Sequence, residues 1–171
     1  MRRALLLVAL VLVPAAAAKT PLPKAPQGSG HEPTAGGGIV SDKPFRAVWA
    51  AAEPESFGDV AVYLLAKKTA CDQLFFATAP YIKVHVHTEG TPLPIGKPAL
   101  QNGSDYVQAD FHPPGPKYYA IQPGVQIVFT RVDTTKTGVW HGSLTVKRQT
   151  FEGHVFSYAG TFAAQWCPKG G

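Results

Sequence analysis

From Pro44 onward the chain is cut into short segments rich in Val, Ile, Phe, Tyr and Thr, separated by clusters of Pro, Gly, Asp, Asn and Thr. Segments of that length and composition favour pleated strands, and the clusters between them favour turns. The pattern predicts strands over 45–52, 59–66, 74–77, 81–88, 106–111, 118–122, 126–132, 139–148 and 155–165. No window of a dozen residues repeats its apolar positions with the helical period of 3.6. The 17 Gly and 16 Pro weigh further against a helical bundle, because both interrupt helices. Closely spaced strands without helices between them predict one all-β domain over 43–171. The expected form is an antiparallel β-sandwich or β-barrel of about eight or nine strands.

Side-chain parity refines this. A strand repeats every two residues, so alternate side chains share a face. In 81–88, Ile82, Val84 and Val86 fall on one face and Tyr81, Lys83, His85 and His87 on the other. The first set should point into the core. Near the C-terminus, Phe156, Tyr158, Phe162 and Trp166 share one parity with Gly160, which predicts a second core face and room for a bend.

The N-terminal part has a different character. Arg2 and Arg3 precede an unbroken apolar run over 4–13, shorter than the ~20 residues a membrane span needs. Pro14 and the alanines 15–18 follow, so residues 1–18 are expected to be a cleaved signal peptide. Loss of the two arginines lowers the formal charge from +5 to +3. The remaining basic residues are scattered, with only the pairs Lys67-Lys68 and Lys147-Arg148, which gives no stripe suited to nucleic acid. No second apolar stretch is long enough for a transmembrane segment after signal cleavage, and the expected location is secreted or periplasmic. Residues 19–42 hold Pro21, Pro23, Pro26 and Pro33 and the run Gly36-Gly37-Gly38, with little to bury; a flexible, disordered tether is expected there.

Cys71 and Cys167 are the only cysteines. In an oxidising compartment, without Cys-x-x-Cys spacing, they are expected to pair as a structural disulfide.

Three groups of residues are candidates for chemistry. His85 and His87 are two apart on one strand, so both imidazoles project to the same side. With His112 as a third ligand they would suit zinc or copper, and Asp110 and His141 are alternative partners. The string from His85 to Gly90 is similar over six residues to the copper-ligand strand of copper/zinc superoxide dismutases. The histidine-rich loop and the following cysteine of that family are absent, and no role is carried over. Tyr118, Tyr119 and Trp140 are candidates for ligand binding, as flat faces for a glycan, a small molecule or a protein. Adjacent strand residues point oppositely, so one of the two tyrosines should be buried. The segment 91–104, with Pro92, Pro94, Gly96 and Pro98, is too long for a tight hairpin and of the kind that carries binding functions.

There is no Gly-x-Ser-x-Gly elbow, no phosphate loop, and no evident pair of catalytic carboxylates. The expected function is therefore that of an exported, non-catalytic binding or interaction domain without a cofactor. The alternative is a metal-binding protein or metal-dependent enzyme built on His85-Val86-His87.

Overall fold

The computed structural model describes residues 34–77, 80–88, 91–99 and 106–168. The expected signal peptide and residues 19–33 of the expected tether lie outside them. The described residues form ten strands: β1 (Ala35–Val40), β2 (Lys43–Ala47), β3 (Trp49–Pro54), β4 (Val60–Leu65), β5 (Tyr81–His87), β6 (Tyr106–His112), β7 (Tyr119–Ile121), β8 (Val125–Arg131), β9 (Val139–Phe151) and β10 (His154–Trp166). Eight of the nine predicted segments coincide with strands, and the all-β class holds.

The strands join in one curled sheet organised around β10. One edge of β10 pairs antiparallel with β9, which carries β8. The other edge is shared by two partners. Its first half takes β1, with Gly36 opposite Gly160, and its last residues take β3. From β3 the sheet continues through β4, β5 and β6 to β7. Among the ten described strands every pairing is antiparallel except β3 with β10, so the sheet is mixed rather than purely antiparallel.

Three sequence expectations are corrected. Residues 35–40, expected in the tether, form β1. The Gly36-Gly37-Gly38 run that suggests mobility instead allows close approach: a Cβ on Gly36 would strike the Tyr158 ring and the Gly160 backbone, and one on Gly38 the backbone of Ser157. The predicted strand over 45–52 is two strands. Phe45 and Ala47 face inward with odd numbers, whereas Ala50 and Ala52 face inward with even ones, and the parity flips at the exposed Val48. The chain changes partner there, from β1 to β4 and β10. The segment 74–77 is not a strand but the end of a 3₁₀ turn, Cys71–Phe76. Its Leu74 is buried.

The core fills the inside of the curl. Ile82, Val84 and Val86 of β5 meet Val107, Ala109 and Phe111 of β6, Ile127 and Phe129 of β8, and Phe156, Tyr158 and Phe162 of β10. The parity read from sequence is the parity observed. A smaller second cluster lies on the opposite face of β3 and β4, where Ala51, Ala61, Tyr63 and Leu65 pack under Leu74 and Cys167. Strand β4 is therefore buried on both faces. Cys71 and Cys167 form a disulfide with their Cα atoms 5.4 Å apart, across a sequence separation of 96 residues. It ties the 3₁₀ turn that covers this cluster to the end of β10. Among the described residues no helix is long and apolar enough to cross a membrane.

Candidate functional site

The outward face of β5 and β6 carries an acid–base network. The β3–β4 connection is tight: Glu55 N–H donates to the Asp59 carbonyl at 2.8 Å, and Asp59 N–H returns to Ser56 at 3.2 Å. Gly58 takes a positive φ of 85°, which favours glycine. This short loop delivers two carboxylates, Glu55 and Asp59, to the histidines of β5. His85 Nδ1 lies 2.7 Å from Glu55 and its Nε2 lies 3.0 Å from Asp110. Lys83 donates to the other Glu55 oxygen at 2.8 Å. His87 Nδ1 lies 2.7 Å from Asp59.

Burial opposes a charge on His85, but the hydrogen bonds to Asp110 and Glu55 outweigh it and raise its pKa to about 9. Burial likewise opposes ionisation of Glu55, and the hydrogen bonds from His85 and Lys83 outweigh it, bringing the pKa down to about 2. At neutral pH His85 is thus an imidazolium whose two N–H groups both donate to carboxylates.

That geometry bears on the expected metal site. His85 has no lone pair to offer while it is protonated and doubly engaged. The ring of His112 is held between Tyr81, at 4.1 Å, and Tyr118, at 5.4 Å, and burial pushes its pKa down. His141 sits on β9, whose partners are β8 and β10. Among the described residues no three His, Cys, Asp or Glu side chains come together in a way that could hold a metal ion. The structure therefore brings His85, Asp110 and Glu55 together as a salt-bridged cluster, and leaves His87 and His112 on the same face in separate contacts.

The aromatic candidates part company. Tyr118 is 59% exposed and stands at the end of the ring stack formed with His112 and Tyr81. Tyr119 is 6% exposed and packs against Phe156 in the core. Trp140 is 1% exposed, yet it forms the floor of a cleft. Its ring stacks on Trp166 at 4.7 Å, nearly parallel, and its Nε1 donates to the Asp133 carbonyl at 2.9 Å.

This cleft has a volume of about 490 Å³. It opens where β3, β5, β8 and β10 end and β4 and β9 begin. Val60, Leu93, Ile95, Val132 and the two tryptophans are among its apolar lining, with Asp59, Thr88, Thr91 and Thr134 adding polar groups. One side is the segment 91–99, which runs along the outer edge of β8: Gly96 N–H donates to Phe129 and Ala99 N–H to Ile127, at 2.7 and 2.9 Å. Residues 100–104, the rest of that predicted loop, lie outside the described residues.

Sequence reasoning misses Glu55, whose position in Glu53-Pro54-Glu55 signals only a turn. It also misses Trp166 as a cleft residue, because its inward parity reads as core. The loop length and its prolines are the signals that point toward the cleft wall. No protein-family model matches the chain, and searches of curated proteins and of solved structures find nothing similar.

Proposed function

We propose that this chain is an exported, non-catalytic β-domain that binds a small apolar ligand in the cleft floored by Trp140 and Trp166. The observation that carries this reading is the cleft itself. Its volume lies within the ~300–1,000 Å³ typical of sites that enclose a drug-sized ligand, and its walls are mostly apolar with a few polar groups at fixed points. Ile95, which lines the cleft, is 51% exposed, so that part of the apolar wall is open to a ligand. Export is supported by the basic and apolar leader read from the sequence and by the disulfide, which suits an oxidising compartment.

The test uses the neutral fluorescent probe N-phenyl-1-naphthylamine with the purified protein. Binding should enhance the probe's emission and quench the tryptophans, because two of the three line the cleft. Leu93→Glu, which places a charge on the wall, should weaken the probe at least tenfold while far-ultraviolet circular dichroism stays unchanged. The reading fails if the probe gains no emission, or if Leu93→Glu binds it as well as the parent protein does.

A further inference from the structure

The cleft carries a charge as well as an apolar floor. Asp59 is the one charged side chain among the described residues that line it, and no lysine, arginine or histidine stands among them. The cations of the neighbouring elements are engaged elsewhere. On the outward face of the sheet Lys83 bonds to Glu55, and His85 to Glu55 and Asp110. Arg131, at the end of β8, turns to Asp133 at 3.6 Å. Lys97, in the segment that forms one side of the cleft, is exposed and is not part of the lining.

Asp59 is held firmly. Its N–H and its carbonyl close the β3–β4 connection, with Ser56 and Glu55 as partners. Its Oδ2 lies 2.7 Å from His87 Nδ1, and the His87 ring is stacked on Tyr106 with centroids 5.0 Å apart. The other oxygen, Oδ1, is buried and has no hydrogen-bond partner among the described residues. A carboxylate can accept at both oxygens, and buried acceptors in folded proteins are rarely left unpaired. The side chain as a whole is 17% exposed and lines the cleft, so the carboxyl group lies at the cleft surface rather than sealed beneath it. Thr91 adds a second acceptor: its hydroxyl proton is directed to the Thr88 carbonyl at 2.7 Å, which leaves the lone pairs of its oxygen. The Trp140 N–H, by contrast, is spent on the Asp133 carbonyl.

These groups distinguish between ligands that share an apolar body. An anionic head meets the like charge of Asp59 and no lining cation to offset it. A hydroxyl head gives a hydrogen bond without a charge. A protonated primary amine brings three donors and the opposite charge, and a charge-assisted hydrogen bond is strongest where the surroundings are apolar. Because Asp59 is already fixed by its backbone bonds and by His87, little ordering of the protein opposes that bond.

We propose that the cleft selects cationic amphiphiles, the ligand's protonated primary amine binding Asp59 Oδ1 while its apolar body lies along Leu93, Val132 and the two tryptophans. This inference rests on the cleft being a ligand site and adds the chemistry of the head group.

The experiment compares decylammonium, decan-1-ol and decanoate, which share one carbon chain, by calorimetry with the full chain at neutral pH, beside N-phenyl-1-naphthylamine as the neutral probe of the cleft. Decylammonium should bind about tenfold or more tighter than the alcohol, the ratio that a hydrogen bond to a charged group supplies. Decanoate should bind more weakly than either. Asp59→Asn keeps the size of the side chain and removes its charge, and should erase most of the preference for ammonium over alcohol; a general loosening of the cleft would weaken both ligands together and leave their ratio unchanged. Thr134→Lys, an exposed substitution that adds a cation to the lining, should weaken decylammonium and strengthen decanoate. If the naphthylamine binds but decylammonium is no tighter than decan-1-ol, or if both variants keep the parent's order of preference, the head-group inference is overturned and the cleft reading stands. If neither the naphthylamine nor any decyl ligand binds, both fall.

Discussion

His85 shows how far single residues can be read from a sequence. Its place on a strand and its outward direction follow from alternation alone. Its chemistry does not, because the groups that define it, Glu55 and Asp110, lie 30 and 25 residues away in the chain. A pair of histidines two apart looks the same whether its nitrogens meet a metal or a carboxylate. The observed partners make a pH-dependent clasp. The folded pKa of His85, about 9, lies above the ordinary 6.5, so its stabilisation is complete below about pH 6.5 and disappears as pH rises through 9. Glu55, at about 2 against 4.5, contributes fully above pH 4.5 and loses its contribution as pH falls toward 2. His85→Leu should therefore destabilise by about 1.5–3 kcal/mol at pH 6, the range for hydrogen bonds to charged groups. The difference should shrink by pH 10; urea unfolding at both values checks it. Tyr158 makes the opposite point. Its hydroxyl is buried without a hydrogen-bond partner among the described residues, and burial pushes its pKa up to about 12. Tyr158→Phe should thus cost nothing, or stabilise by up to about 1 kcal/mol, in the same assay.

At the scale of elements, what the sequence made legible was period, and what it hid was partnership. β5, β6 and β10 announce themselves by alternation of large apolar and polar residues, and the structure keeps that parity. β1 carries no such signal, since Gly36, Gly37 and Gly38 have no side chains to alternate. Its role is defined by what it lies against: Gly36 sits opposite Gly160, under the Tyr158 ring. The turn Cys71–Phe76 misleads in the other direction, because Leu74-Phe75-Phe76 has strand composition but follows the disulfide as a 3₁₀ turn. The glycine argument has a direct consequence. Gly36→Ala should destabilise by about 1–3 kcal/mol or more, the usual cost of overpacking, because its methyl group meets both a ring and a backbone. Gly153→Ala, whose added carbon meets open space, is the comparison. Gly153 has a positive φ of 81°, so that variant bears only local backbone strain. A thermal melt in which Gly36→Ala is no worse than Gly153→Ala would remove β1 from the packed sheet.

For the molecule as a whole, the curl is closed by three ties at the end of β10. Cys167 N–H donates to the Ala52 carbonyl at 2.7 Å, Trp166 N–H donates to Gly138 at 2.9 Å, and the disulfide links Cys167 to the turn over β4. Trp166 lies between these ties and presents its ring to the cleft. The same crosslink that limits the unfolded chain therefore also fixes one wall of the proposed ligand site. For a loop of about a hundred residues the chain-entropy estimate of its contribution is ~4.7 kcal/mol, an upper figure because strain and residual unfolded structure reduce it. Paired replacement, Cys71→Ala with Cys167→Ala, should lower the midpoint of chemical unfolding by an amount within that limit. The cleft should respond as well: the β10 end loses a covalent anchor but keeps its two backbone bonds, so the Trp140–Trp166 stack should loosen before the core does. The expected signature is a red shift of tryptophan emission and weaker N-phenyl-1-naphthylamine binding under conditions where far-ultraviolet circular dichroism is still that of the intact sheet. If probe affinity and emission stay fixed until the whole sheet unfolds, the backbone bonds of Trp166 and Cys167 hold the cleft by themselves, and the disulfide acts on the unfolded chain alone.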